Sequence, residues 1–380
     1  MKFEGQIYFI IFILFLLSAG SIQSQEIDNP YIDSLNKILK TDSISNNQEQ
    51  RLIILNEIAN QHYIKGDFRE AHSKYNEVVS DSTNGIFERE IAKALSGLSH
   101  IEWRWGDNVS AINKAIKSIE IFKAINDTAN ICKASDILGG IYASLGKYGE
   151  AEKTYRQILK LTGATNDSVN EGSALEHIGI VKFFEGNYDS SILYYQKSYD
   201  IFNTINAPIR AAIAKSNIGE AYLYKGNYSK AIEYLEEAIT EMEKESFRSG
   251  LIFANYSLGS SKTKLGQYKE GLKHYEKALE LIKITGEFRE KPFVLELMSE
   301  NLDQQGDHAR ALELYKLSAE IKDSIDNIEN RAAIEEIRTR YEVAEKERKN
   351  KILSDQNKQK EASIKVKNQM LLAQFLLVYC

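Results

Sequence analysis

The sequence predicts an all-α fold, an α-solenoid of seven helix-turn-helix repeats followed by a long C-terminal helix. Three observations lead to this prediction. A glycine recurs every 40 residues, the residues around it recur with it, and the chain of 380 residues contains only 3 prolines. The seven glycines are Gly66, Gly106, Gly146, Gly186, Gly226, Gly266 and Gly306. One period held over seven copies indicates a repeat array, in which neighbouring units bury each other's apolar faces.

Each of these glycines is predicted to end the first helix of a repeat, because glycine adopts the left-handed C-cap conformation without strain. Eight residues before the glycine the chain is always apolar, and seven before it the chain is always small. A second small residue recurs five residues after the glycine, and small residues on both helices let the two backbones approach closely. Five tyrosines, each nine residues after a glycine, are predicted to lie on the inner face of the second helix: Tyr75, Tyr155, Tyr195, Tyr275 and Tyr315.

This pattern resembles the tetratricopeptide repeat. The repeat that matches most fully contains Leu138-Gly139, Tyr142, Gly146, Tyr148, Ala151 and Tyr155. The resemblance covers roughly residues 50 to 323 and implies a right-handed superhelix that binds a protein or peptide in its concave groove. The period of 40 residues exceeds the family's usual length of about 34, and the family's closing proline is absent. The longer period predicts longer helices or longer loops between repeats, such as Ser80–Gly85 and Thr162–Gly172.

The N-terminal residues 1–24 are predicted to form a signal peptide. Lys2 precedes an apolar run, Ile7–Leu17, and the small residues after this run suit a cleavage site. An uncleaved signal anchor is the alternative. Both forms predict export to the periplasm or cell envelope, in association with the membrane. Residues 25–50 follow as a linker and capping helix, and residues 51–323 as the seven repeats.

The C-terminal residues 324–369 are predicted to form a long charged helix. Its apolar residues are spaced three and four apart, which indicates a coiled coil and makes a homodimer through this helix one expectation. Residues 370–380 are apolar except for Gln374 and are interpreted as the start of a transmembrane segment. The whole layout resembles the extracytoplasmic half of bacterial sensors in which a membrane span precedes a histidine kinase or a helix-turn-helix regulator.

Composition and motifs argue against several classes of function. The net charge of −6 argues against a nucleic-acid partner. The six histidines are scattered over different repeats, and the glycines follow the repeat instead of forming a phosphate-binding loop. We therefore predict no catalytic, cofactor-binding or metal site, and no enzyme. Cys132 is interpreted as a small core residue.

The candidate binding site is the groove lined by the first helices of the repeats. Its aromatic candidates are Tyr63, Trp103, Phe183, Phe184, Tyr224 and Tyr256, and its acidic candidates are Glu220, Glu296 and Glu300, with Glu176 and Asp303 on the same face. Aromatic side chains with a charged rim suit the capture of a peptide or helix. The alternative for each residue is that it only seals the contact with the next repeat. Two functions remain open: the sensory input region of a membrane signalling protein, and a stand-alone envelope scaffold or adaptor.

Overall fold

The computed structural model describes residues 30–41, 44, 47–81 and 87–325. The chain divides into two units, Met1–Ala319 and Glu320–Cys380, and of the second unit only residues 320–325 are described, as helix. The predicted signal peptide, the charged helix beyond residue 325 and the apolar segment 370–380 lie outside the described residues. In the part of the chain that the structure describes, no helix is long and apolar enough to cross a membrane.

The described residues form an all-α helical-repeat solenoid, as predicted, and contain no strand. The helices are α1 (Pro30–Leu39), α2 (Gln48–Ile64), α3 (Phe68–Asp81), α4 (Glu88–Arg104), α5 (Asn108–Ala124), α6 (Thr128–Ser144), α7 (Tyr148–Thr165), α8 (Ser168–Phe184), α9 (Tyr188–Thr204), α10 (Pro208–Lys225), α11 (Tyr228–Lys244), α12 (Arg248–Lys264), α13 (Tyr268–Thr285), a 3₁₀ turn (Phe288–Glu290), α14 (Lys291–Gln304) and α15 (308–325). The first helices of the repeats are α2, α4, α6, α8, α10, α12 and α14.

The 40-residue period comes from long helices. Asn108–Ala124 and Thr128–Ser144 each have 17 residues, and only short turns separate them from their neighbours. The predicted loop Thr162–Gly172 is therefore wrong, because α7 continues through Thr165 and α8 begins at Ser168. Residues 82–86 of the other predicted loop lie outside the described part.

The turns inside the repeats confirm the role predicted for the glycines. All seven turn glycines have positive φ angles, between +69° and +85°. In the turn after α10, the Gly226 N–H donates to the carbonyl of Leu223 and the Asn227 N–H to that of Tyr222, at 3.0 and 2.9 Å. These two bonds satisfy carbonyls that the end of the helix leaves without partners.

A second left-handed residue also recurs every 40 residues, at the end of the second helices. These residues are Asn126, Asn166, Asn206, Ser246 and Gly286, with φ angles from +53° to +77°. Asparagine tolerates this conformation better than most residues, because its short polar side chain can hydrogen-bond locally. Both turns of the repeat therefore reverse the chain in the same way.

Within a repeat, the two helices approach closely where glycine faces a tyrosine ring. A Cβ atom added to Gly139 would lie 2.6 Å from Cε1 of Tyr155, and one added to Gly179 would lie 2.6 Å from Cδ1 of Tyr195. Four of the five predicted tyrosines are buried, Tyr75, Tyr155, Tyr195 and Tyr275, and of these Tyr75 packs against Gly97 of the next repeat. The absence of a side chain on the first helix makes room for the ring of the second.

Tyr315 is the exception, and its predicted inward position is wrong. Its side chain is 54% exposed. At the position facing it, the last repeat has Ser299 where the third to sixth repeats have glycine, and the Ser299 hydroxyl donates to the carbonyl of Ala311 at 2.7 Å. The serine side chain occupies the space between the helices that a ring fills elsewhere.

The first helices form the inner layer of the repeat array. Consecutive first helices contact each other, whereas the described second helices are separated from one another by first helices. The pair α8 and α10 is an exception, because these two first helices share little backbone contact. The fourth and fifth repeats therefore meet in the inner layer mainly through side chains, such as Phe183 with Tyr224 and Glu176 with Asn217.

Candidate protein-binding site

The candidate site on the inner layer lies at the contact between α8 and α10. Three rings meet there: Phe183 on α8, Tyr188 at the start of α9 and Tyr224 on α10. The Phe183 ring centre lies 5.0 Å from that of Tyr224 and 5.4 Å from that of Tyr188, both with edge-to-face geometry. We call these three residues the central aromatic cluster. Phe183 is buried, whereas Tyr224 is 51% exposed.

Phe184 contacts Phe183 edge to face, with ring centres 5.6 Å apart, and also packs toward the preceding repeat. Its ring stacks on Tyr148, the first residue of α7, with ring centres 6.4 Å apart. The side chain is 9% exposed. Of the two adjacent phenylalanines, Phe184 therefore fills the contact between repeats and Phe183 supports the exposed ring of Tyr224.

Tyr256 lies on α12 within a second group of rings. Its ring centre lies 5.1 Å from Phe253 and 5.2 Å from Phe293 of the next first helix, both edge to face. Tyr256 is 5% exposed. Burial raises the pKa of its phenol, and the nearby carboxyls of Glu290 and Glu220 raise it further, which places both acids beside the ring.

Glu220 lies on α10 one helical turn before Tyr224, so the two side chains share one face of the helix. It is 4% exposed, and no described residue donates a hydrogen bond to it or pairs with it. Burial raises the pKa of its carboxyl well above the usual range, and no neighbouring cation opposes that effect. The Glu220 carboxyl is therefore buried without a charge partner among the described residues.

Tyr63 and Trp103 belong to a separate group at the N-terminal end of the inner layer. Tyr63 Oη lies 2.9 Å from His100 Nδ1, and the His100 and Trp103 rings stack with their centres 5.6 Å apart. The indole N–H of Trp103 donates to Ser144 Oγ of the next first helix at 2.9 Å. Burial and the nearby Arg104 guanidinium lower the pKa of His100 to about 4, so this end of the layer carries a neutral imidazole.

The acidic candidates occupy different environments. Glu300 and Asp303 are exposed, and Asp303 Oδ1 lies 2.7 Å from His308 Nδ1. Glu296 is half-buried and accepts a hydrogen bond from Ser318 Oγ at 3.0 Å. The prediction for Glu176 is wrong, because its side chain is fully buried and so is absent from the surface of the groove.

Glu176 is buried because a residue from the next repeat binds it. Asn217 on α10 donates from Nδ2 to Glu176 Oε1 at 3.0 Å. Burial raises the pKa of the Glu176 carboxyl, and Arg210 and His177 offset part of this rise. This residue therefore belongs to the polar contact between the fourth and fifth repeats.

Two residues of the central region were not predicted. Tyr188 completes the central aromatic cluster, and its position two residues after a turn glycine was a usable signal. Glu290 lies in the 3₁₀ turn between α13 and α14, where the repeat pattern gives no guidance. Burial and the neighbouring Glu287 carboxyl raise the pKa of Glu290 to about 7.

Comparisons with known proteins agree with this architecture. A sequence model described as tetratricopeptide repeat matches residues 130–204, 173–244 and 251–324. The apo form of RapI is similar in structure, with a TM-score of 0.58 and 14% identity over 73% of this chain and 99% of that one. A Rap protein complexed with competence and sporulation factor has a TM-score of 0.56 and 16% identity over 78% of this chain and 81% of its own.

A third similar structure is a STAND signal-transduction ATPase with a tetratricopeptide repeat sensor, from Pyrococcus horikoshii. Its TM-score is 0.56 at 15% identity, over 86% of this chain and 54% of the ATPase. No curated protein sequence matches the chain. Tetratricopeptide repeats serve as protein–protein interaction modules, and the fold is generally that of a non-enzymatic scaffold. The 40-residue pattern, the helical-repeat solenoid and the matched segments together identify the chain as a member of the tetratricopeptide repeat family.

Proposed function

We propose that the chain is an exported protein-binding module that acts as the sensory input region of a membrane signalling protein. A peptide, or a segment of a partner protein, binds to the inner layer at the central aromatic cluster. The apolar run near the N-terminus supports export, and the apolar residues 370–380 support attachment to a membrane. The binding face would therefore lie outside the cytoplasm.

The observation that carries the proposal is the exposed ring of Tyr224. A tyrosine that only sealed the contact between repeats would be covered, as Tyr256 is at 5% exposure. Tyr224 instead keeps 51% of its surface exposed while Phe183 and Tyr188 hold its ring in place. Rigid aromatic anchors of this kind contribute much of the binding energy in protein interfaces.

Two of the similar structures support this proposal by analogy. The Rap protein was solved as a complex with competence and sporulation factor, and the P. horikoshii protein uses its tetratricopeptide repeats as a sensor. Analogy of fold alone is weaker support than the site itself. We therefore base the binding face on the described side chains and the sensory role on the layout of the chain.

A change in packing between α8 and α10 is the step that binding would drive. Phe183 of α8 contacts Tyr224 of α10, so a segment that binds to these rings is able to alter the angle between two repeats. In a repeat array each unit contacts only its neighbours, and a change of angle passes along the stack. The predicted helix 324–369 would carry this change toward the membrane.

Photo-cross-linking tests the binding face. Tyr224 is replaced with p-benzoyl-phenylalanine in the full chain, in cells of the native host. The control position is Leu193 on the second helix α9, which is 54% exposed. We expect a discrete adduct from position 224 and none from position 193. Equal adducts from both positions, or adducts only from position 193, contradict the proposed face.

Cell fractionation tests the location. Alkaline phosphatase fused after residue 325 is active only outside the cytoplasm, where its disulfides form. We expect an active fusion and a full chain that fractionates with the membrane. An inactive fusion contradicts export. An active fusion with the full chain in the soluble envelope fraction supports a stand-alone scaffold or adaptor, which keeps the binding face but has no sensory output.

A further inference from the structure

We propose that the inner layer contains a subsite for one cationic side chain, a lysine or arginine of the bound segment, formed by Glu220 and Tyr224. This inference rests on the proposed function and adds the chemistry of the partner. The subsite lies entirely within the repeats. Glu220 supplies the negative charge, and Tyr224 supplies an aromatic face and a phenol.

The first observation is that Glu220 has no partner. Four glutamates are buried in the part of the chain that the structure describes. The other three, Glu90, Glu102 and Glu176, accept hydrogen bonds from Lys93, Lys114 and Asn217 respectively, at 2.8, 2.8 and 3.0 Å. Burying a carboxyl group without a partner is costly, and a protein that keeps one usually uses it. We therefore infer that a hydrogen-bond donor of the bound segment pairs with Glu220.

The second observation is the set of rings around this carboxyl. Glu220 lies close enough to Tyr224, Tyr195 and Tyr256 to raise the pKa of each phenol, in addition to the effect of burial. Tyr224 is half exposed at the surface of the inner layer and lies one helical turn from the buried carboxyl, on the same face of α10. Aromatic rings beside a carboxylate attract cations through the negative face of the ring.

The third observation is the sign of the charge around the subsite. The Glu300 carboxyl raises the pKa of the Tyr224 phenol further. Lys225, the next residue after Tyr224, is paired with Asp189. The charge around Tyr224 therefore favours a cationic group over an anionic one.

A lysine ammonium or arginine guanidinium that reaches Glu220 donates hydrogen bonds to its carboxyl group and supplies the opposite charge. The buried pair then has both a charge partner and hydrogen bonds, which is the condition under which a buried ion pair is favourable. Arginine adds a planar face that stacks on tyrosine.

Peptide selection tests the subsite. A library of random nine-residue peptides is displayed on phage and selected against the immobilised full chain, its Glu220→Gln variant and its Glu233→Gln variant. Glu233 lies exposed on the second helix α11 of the same repeat, so this control makes the same change of charge away from the inner layer. We expect peptides with lysine or arginine at one fixed position from the wild type and from Glu233→Gln. That preference disappears with Glu220→Gln.

Affinity measurements on the best peptide complete the test. We expect Glu220→Gln to weaken binding at least about tenfold, and replacement of the basic residue by norleucine or citrulline to weaken it by a similar factor. Combining Glu220→Gln with the changed peptide should weaken binding little more than either change alone, because both changes remove the same contact. Melting curves check that Glu220→Gln remains folded.

The outcomes separate the two proposals. Selected peptides without a fixed basic residue, or equal affinity for wild type and Glu220→Gln, overturn the cationic subsite and leave the binding face intact. Failure to select any peptide contradicts both the binding face and the cationic subsite. A basic residue that persists in the Glu220→Gln selection also overturns the assignment.

Discussion

Replacing Gly139 with alanine tests the close contact that builds each repeat. The added Cβ would lie 2.6 Å from both Cε1 and Cζ of Tyr155, whereas carbon atoms in ordinary contact are about 3.5–4.0 Å apart. The ring would have to move by about 1 Å. Tyr155 is 1% exposed and its ring centre lies 5.0 Å from that of His177, so it has little room to do so.

The expected cost follows from this geometry. Overpacking a core costs about 1–3 kcal/mol, and the upper value applies because the obstacle is a buried ring and not a flexible chain end. Alanine in place of glycine also favours the helix by about 1 kcal/mol. The net destabilisation is therefore about 2 kcal/mol. Gly163 provides the matched control, since it lies in α7 with no atom within 4 Å of an added Cβ.

Chemical denaturation followed by far-ultraviolet circular dichroism measures both variants in the full chain. We expect Gly139→Ala to unfold at lower denaturant concentration than the wild type, and Gly163→Ala at the same or higher concentration. The difference between the variants, about 3 kcal/mol, reports the packing cost alone because the helix propensity term is common to both. Equal stability of the two variants would refute the close contact between Gly139 and Tyr155.

Three further perturbations test other parts of the structure. Glu220→Gln should be more stable than the wild type at pH 8 but not at pH 4. The pKa of Glu220 is raised in the folded wild type, so the wild type loses stability as the pH rises above the ordinary pKa of a carboxyl, whereas the variant does not. Melting curves at both pH values test this. Glu102→Gln should lower the free energy of unfolding by about 3 kcal/mol at pH 7, because hydrogen bonds from His72 and Lys114 outweigh burial and hold the pKa of Glu102 at about 2. Urea titration measures this loss, which should shrink as the pH falls from about 4.5 toward 2. Gly226→Ala should lower the free energy of unfolding by about 1 kcal/mol, because residue 226 has a φ of +85° and alanine is strained in that conformation. An unchanged melting temperature would contradict this strain.

The repeat pattern predicted the parts of the fold that depend on local sequence. The turn glycines ended the first helices as expected, because a left-handed residue is required at that position whatever the neighbouring repeats contain. The second left-handed turn was missed since asparagine and serine, at Asn126 and Ser246, occur there in place of glycine. The same 40-residue spacing would have revealed it.

The site was predicted less completely because its members depend on residues about 40 positions away. Glu176 was expected on the surface, but Asn217 of the next repeat covers and binds it. Phe183 and Phe184 are adjacent in sequence, yet one supports Tyr224 and the other fills the contact with the preceding repeat. The packing angle between repeats decides which neighbouring residue a side chain contacts. The periodicity of the sequence does not predict that angle.

Hydrogen–deuterium exchange tests the binding face most directly. The full chain is compared with and without the peptide selected against it, segment by segment. We predict slower exchange in Ser168–Phe184 and Pro208–Lys225, the first helices that carry Phe183, Glu220 and Tyr224. Protection confined to the second helices Tyr188–Thr204 and Tyr228–Lys244 would contradict binding at the inner layer.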